Sequence, residues 1–233
     1  MGGSYVMRKL VLWGHGVDEY REMFDLTTGD MKGNILEYGC GASLVNSELH
    51  HQSKIASFDP LFNLDKEPLQ KKVSELFEDM LERVTRDQDK FDFSHYGSFE
   101  ALVATRREGM KKFFADYEQG KLEKRYQPIG DNTLPFSDFE FDFALSSHYL
   151  FAELDGQDVD FHLKVIRELA RAAKEVRIFP LINRYGRPSP FLGPVLLGLQ
   201  QDDYGTEVRN VSYSLQPKGN AMLRVWAQQC RVI

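Results

Sequence analysis

The residues best suited to hold a ligand are Glu37-Tyr38-Gly39-Cys40-Gly41. Two glycines one residue apart let the backbone turn tightly and let a ligand approach main-chain groups that a Cβ would shield. Some twenty residues further on stands Asp59, where a carboxylate can accept both hydroxyl protons of a nucleoside ribose. A dinucleotide fingerprint would place a third glycine where this chain has Leu44, which counts against NAD or FAD held at a helix N-terminus. His148 has an ordinary pKa near neutrality and suits proton removal from a nucleophile, with Tyr149 beside it to orient a substrate. Each residue also has a plain structural reading: Gly39 and Gly41 as a tight turn, Asp59 as a turn residue before Pro60, and His148 as a satisfied residue at a strand end.

These side chains are useful only if strands deliver them to one place. The short apolar run at 34–38 predicts a strand that runs into the glycine turn, with a helix over 44–49 and a second strand over 54–58 ending at Asp59 and Pro60. The order strand, glycine turn, helix, strand is a βαβ unit. Further strands are expected at 125–129, 142–146 and 175–180, with a helix over 160–173. Near the end, 189–199 reads as a helix with Pro190 in its first turn, and 207–214 and 222–227 read as a closing hairpin. A short helix over 18–26, with Asp18 as N-cap, precedes the first strand. The expected class is therefore α/β, a Rossmann-like central sheet with helices on both faces and a terminal β-hairpin.

Between 61 and 124 the pattern changes. Val73, Leu76, Phe77, Met80, Leu81 and Val84, and then Phe99, Leu102, Val103, Met110, Phe113, Phe114 and Tyr117, recur at helical spacing. Two long amphipathic helices inserted in a single domain over 1–233 are expected, placed as a lid or as a purely stiffening element.

The succession of motifs resembles the class I S-adenosylmethionine-dependent methyltransferases, over about 34–180. Their first motif is an acidic residue, any residue, Gly, any residue, Gly after the first strand, which Glu37, Gly39 and Gly41 match; the third glycine frequent in that family is Ser43 here. The segment Gly130-Asp131-Asn132-Thr133-Leu134-Pro135-Phe136 resembles the family's loop after the third strand. The resemblance implies that Asp131 accepts from the adenine amino group and that the Asn132 N–H donates to a ring nitrogen. The stretch from Ser137 to His148 resembles the fourth strand and the loop facing the methyl group, which brings in Ser146. Tyr5, Trp13 and Tyr20 fall where family members often place a segment covering the cofactor or binding substrate. The implied cofactor is S-adenosylmethionine and the implied partner a small-molecule methyl acceptor, with His148 as a candidate base.

Other chemistries are poorly served. Ser146-Ser147-His148-Tyr149 is not the Asn/Asp-Pro-Pro-Tyr/Phe motif of adenine-amino methyltransferases, and Cys40 is not in a Pro-Cys loop. The two cysteines, Cys40 and Cys230, and the scattered His50, His51, His95 and His162 have no metal-ligand spacing, so no metal is expected. A net charge of −6 gives no general attraction for nucleic-acid phosphates. No stretch approaches the roughly twenty apolar residues that cross a bilayer, no leader pattern is present, and a soluble cytoplasmic protein is expected. Two other readings stay open: a nicotinamide-dependent oxidoreductase, against which the absent third glycine and Tyr-x-x-x-Lys pair count, and a non-catalytic adenosyl-binding interaction module.

Overall fold

The computed structural model describes residues 14–130, 133–216 and 218–227. Seven strands form one sheet: β1 (Ile35–Tyr38), β2 (Ile55–Asp59), β3 (Tyr126–Pro128), β4 (Phe141–Ser147), β5 (Ala173–Phe179), β6 (Tyr204–Asn210) and β7 (Ala221–Ala227). Their order across the sheet is β3-β2-β1-β4-β5-β7-β6. The first five are parallel, and β7 runs antiparallel between β5 and β6. The chain thus leaves β1 toward one edge and resumes at β4 on its other side, which makes the carboxyl ends of β1 and β4 the switch point where an open α/β sheet leaves a crevice. The Rossmann-like α/β class with a closing hairpin is the fold observed.

Helices α1 (Val17–Met23), α2 (Val45–Leu49), α3 (Lys66–Arg86) and α4 (Phe99–Leu122) cover one face, and α5 (Val159–Ala172) and α6 (Leu192–Gln201) the other. The period-two alternation of strand side chains sorts neighbours between the two cores. Leu36, Ala56, Ala144 and Leu223 meet α5 and α6 through Val165, Ile166, Leu169, Val195 and Leu199. Ile35, Ile55, Leu145 and Met222 meet Tyr20, Met23, Phe24, Val45 and Phe77. Because both faces are covered, β1 and β2 are buried at every position, which explains why they read as continuous apolar runs. Helices α3 and α4 pack on each other, and α4 also reaches α2 and β3, so the inserted pair sits over the β3 edge. No described helix is long and apolar enough to cross a membrane.

Several boundaries differ from the sequence expectation, and three of the differences have a visible cause. Helix α1 starts at Val17, one residue before Asp18, because Glu19 reaches back to the Gly16 N–H at 2.9 Å and caps it. Helix α6 starts at Leu192, so Pro190 precedes it and Pro194 occupies its first turn, where a missing N–H is harmless. Strand β6 lies at 204–210 rather than 207–214, since its pairing with β7 runs from Tyr204 opposite Ala227 to Asn210 opposite Ala221.

Candidate active site at the ends of β1 and β4

Strand β1 delivers the glycine turn to the switch point. Gly39 and Gly41 have φ of 68° and 56°, a left-handed backbone that favours glycine. The Gly39 N–H donates to the Phe58 carbonyl at 2.7 Å, and the Gly41 N–H donates to Asp59 Oδ2 at 2.8 Å. Asp59 Oδ1 accepts the Leu61 N–H at 2.9 Å, capping the turn that follows β2. The Asp59 side chain is fully buried, and burial pushes its carboxyl up to about 6 against the two amide bonds.

Beneath the turn a polar chain crosses the sheet. Glu37 Oε2 accepts the Ser57 hydroxyl at 2.6 Å, Ser57 accepts Asn46 Nδ2 at 2.8 Å, and Asn46 Oδ1 accepts Arg125 Nη1 at 2.6 Å. Arg125 in turn grips Asp116 with both terminal nitrogens. Burial raises the Glu37 carboxyl, partly offset by the hydroxyls of Ser57, Ser43 and Tyr20. Its second oxygen, Oε1, is buried without a hydrogen-bond partner among the described residues.

Strand β4 ends in a strained segment. His148, Phe151 and Glu153 all have φ between 57° and 65°, a conformation costly for residues with a Cβ. Buried polar groups hold it: His162 Nε2 accepts the Phe151 N–H at 3.0 Å, and Gln157 Nε2 donates to the Tyr149 carbonyl at 3.0 Å. Tyr149 lies directly on Gly39, so that a Cβ added there would stand 2.1 Å from the Tyr149 Cγ. Its ring also meets Tyr38 edge-on at 5.8 Å.

On the other side of the turn a loop, 14–16, is tied to it by the Leu44 N–H donating to the His15 carbonyl at 2.9 Å. The His15 ring stacks on His148 with centroids 4.9 Å apart and planes 22° from parallel. Below it Arg106 forms two bonds to Glu19, 2.8 Å and 2.5 Å long, and Arg106 Nη2 donates to the Tyr96 hydroxyl at 2.7 Å. Tyr96 donates to Glu19 Oε1, and the hydroxyls of Tyr96 and Tyr213 lie 2.8 Å apart. His15 Nδ1 is 3.2 Å from Glu19 Oε1. Burial alone raises the Glu19 carboxyl, but His15 and the Arg106 guanidinium hold it below the ordinary carboxylate range. Burial, helped by Arg106, pushes His15 down to about 4; burial, helped by His15 and Arg106, lowers His148 well below its ordinary value.

The fold therefore brings together Glu37, Gly39, Gly41, Asp59 and His148. Ser146 is fully buried in β4, and its Oγ has no partner among the described residues. Asp131, Asn132, Tyr5 and Trp13 lie outside the described residues. Tyr20 is a buried core residue packed on Phe24 and His15. His162 serves the β4 loop, and Cys40 is a half-buried free thiol whose proton affinity desolvation raises. No group of three or more potential metal ligands is found among the described residues. Sequence reasoning missed His15, Glu19, Tyr96, Arg106 and Tyr213. The one available signal was Arg106 itself, a charge set four residues from both Leu102 and Met110 on the apolar stripe of α4.

Among the described residues, most buried side-chain atoms that lack a partner gather here. Glu37 Oε1 and Ser146 Oγ lie on the adjacent strands β1 and β4, while His15 Nε2 and Arg106 Nε belong to the cluster beside them; the remaining ones are on Arg184. Buried polar groups are ordinarily satisfied, and four of these six atoms lie in this one region.

Comparison with known proteins gives the following. No family model matches the chain. Uncharacterized protein MJ0045 of Methanocaldococcus jannaschii is 29% identical over 220 residues, 93% of this chain and 96% of that one. Among solved structures, the chain is similar to a SAM-dependent methyltransferase from Aquifex aeolicus, with 18% identity, a TM-score of 0.41, and 89% of this chain and 90% of that one covered. It is also similar to the PH0226 protein of Pyrococcus horikoshii, at 12% identity and a TM-score of 0.46, over 91% of this chain and 90% of that one. An O-methyltransferase from neocarzinostatin biosynthesis, in complex with S-adenosyl-L-homocysteine and 1,4-dihydroxy-2-naphthoic acid, is 11% identical with a TM-score of 0.43. The match covers 96% of this chain and 52% of that one.

Proposed function

We propose that the protein is an S-adenosylmethionine-dependent methyltransferase acting on a small-molecule acceptor. The observation that carries this reading is the unpartnered Glu37 Oε1 and Ser146 Oγ beside a left-handed glycine turn, on the two strands that flank the switch point. Glu37, Gly39, Gly41, Asp59 and Ser146 would hold the cofactor, joined by Asp131 and Asn132 on the strength of the motif resemblance. Each Asp59 oxygen has spent one lone pair on a backbone N–H and keeps another for a ribose hydroxyl. Tyr149, which lies on Gly39 where the turn would meet a ligand, has to move aside for binding.

The cofactor supplies a methyl group on a sulfonium centre, open to in-line displacement. The protein's part is alignment and, for acceptors that carry a proton, its removal. His148, half-buried at the end of β4 with its Nδ1 2.8 Å from the Ser147 hydroxyl, would be the proton acceptor, its imidazole held below its ordinary value by desolvation. The helical insertion, 61–124, contributes Arg106 and Tyr96 to the cluster beside it, which supports a role in shaping the acceptor side. We place the protein in the cytoplasm on its cysteine usage.

Calorimetric titration with S-adenosylhomocysteine tests the assignment. Asp59→Ala, with its fold verified by circular dichroism, is expected to lose binding; an affinity equal to wild type removes Asp59 from the site.

A further inference from the structure

The two edges of the sheet differ. The inserted helices sit over β3, whereas β6 pairs along its whole length with β7 and, among the described residues, with nothing on its outer side. Proteins ordinarily blunt such an edge with proline, a bulge or lysines. The sequence of β6, Tyr-Gly-Thr-Glu-Val-Arg-Asn, has no proline or lysine, its register against β7 is unbroken, and its two charges, Glu207 and Arg209, are opposite in sign. Just past the strand the Val211 N–H donates to the Asn220 carbonyl on the β7 side. Main-chain groups alternate in direction along an antiparallel strand, so Gly205, Glu207 and Arg209 bond inward, and Thr206, Val208 and Asn210 present their N–H and C=O groups outward. Val208 stands opposite Leu223, which shares a core with Val195 and Leu199 of α6, so its side chain is on the α6 face. It is 49% exposed; on the same side of the sheet Leu197 of α6 is 57% exposed, and α6 carries no charged residue.

We propose that the outer edge of β6 docks a second copy of this chain, antiparallel, about a two-fold axis at Val208. The strand is complementary to itself in that register. Val208 faces Val208 of the second copy and Thr206 faces its Asn210, so the residues whose main-chain groups point outward meet one another and exchange N–H···O bonds. Glu207 then stands opposite Arg209 of the second copy, and Arg209 opposite its Glu207. Moving the axis by one residue in either direction sets Glu207 against Glu207 or Arg209 against Arg209, and like charges directly opposite are destabilising. The wider charge on that face is balanced within each chain: Glu207, Asp25 and Glu175 are bonded among Arg209, Arg224 and Arg177, so two copies meet without net repulsion. On the other face the exposed Val208 and Leu197 supply apolar surface beside the axis. Because β6 runs parallel to β5, the pairing makes one continuous sheet with the glycine turns of the two copies at opposite ends, both away from the axis.

Light scattering on the protein as it elutes from a sizing column tests this at micromolar concentration. Wild type is expected at twice the chain mass. Val208→Lys, which sets two ammonium groups face to face at the axis, is expected at the mass of a single chain with an unchanged circular dichroism spectrum. Disulfide trapping tests the register. In the proposed pair the two Cα atoms of residue 208 stand about 5.5 Å apart, within the span of a disulfide, so Val208→Cys is expected to form a covalent dimer on mild oxidation. Thr206→Cys, which faces Asn210 of the second copy rather than its own counterpart, is expected to give no more than wild type treated in the same way. A wild-type protein of single-chain mass leaves the edge to some other strand and overturns the proposal. A dimer that persists in Val208→Lys, or cross-linking of Thr206→Cys equal to that of Val208→Cys, overturns it as well, by placing the contact on another surface or in another register.

Discussion

The Gly41 amide donates to Asp59 Oδ2 at 2.8 Å, so the turn after β1 and the end of β2 are locked together by one buried carboxylate. The burial that makes this link also raises the Asp59 pKa from 3.8 to about 6. A carboxyl whose folded value is raised binds its proton more tightly in the native state, so its contribution is greatest in acid and declines as pH rises from 3.8 toward 6. The stability of wild type relative to Asp59→Asn is therefore expected to fall by up to about 3 kcal/mol across that window. Urea midpoints of the two proteins at matched pH measure the difference, and a constant difference contradicts it.

Buried histidines act in the opposite sense. His15, lowered to about 4, must take up a proton that the unfolded chain binds at 6.5. Its contribution is complete above 6.5 and is lost as pH falls toward 4. Wild type is expected to lose about 2 kcal/mol more than His15→Leu between about pH 7 and about pH 5. Parallel urea midpoints for the two proteins would show that His15 is not the titrating group.

Arg106 is 1% exposed and bonded to Glu19, Tyr96 and His15. Removing it leaves the Glu19 carboxylate buried without its counter-charge. Arg106→Met is expected to cost about 3 to 5 kcal/mol, and Glu19→Gln with Arg106→Met less than the sum of the two single changes. Additive losses in a double-mutant cycle would contradict the pairing.

Gly39→Ala meets two obstacles: a φ of 68° and a Tyr149 ring 2.1 Å from the new Cβ. Overpacking of this kind costs about 1 to 3 kcal/mol, with about 1 to 2 kcal/mol more for the left-handed backbone. Tyr149→Ala in the same chain is expected to recover the first part and not the second. Thermal denaturation of the four proteins in the cycle measures this, and no recovery would place Tyr149 off Gly39 in solution.

Much of the scaffold was legible because its signals are local. Strands buried on both faces read as apolar runs, the glycine turn announces a left-handed backbone, and the insertion shows helical spacing along Val73 to Val84. The glycine turn and Asp59 were legible for the same reason. The cluster of His15, Glu19, Tyr96, Arg106 and Tyr213 was not, because its members are brought together only by tertiary packing of α1, α4 and the approach to β7. Nor could spacing show that Asp59 serves its own turn through Leu61, or that Tyr149 lies on Gly39. Both depend on side-chain direction rather than on position along the chain.

The most direct measurement of the central claim is calorimetric titration of the purified protein with S-adenosylmethionine and S-adenosylhomocysteine, with NAD and NADP in the same buffer. The account predicts binding of the adenosyl compounds and none of the dinucleotides. Binding of a dinucleotide alone would make the turn that of an oxidoreductase, and binding of none of the four would contradict a nucleoside site at the ends of β1 and β4.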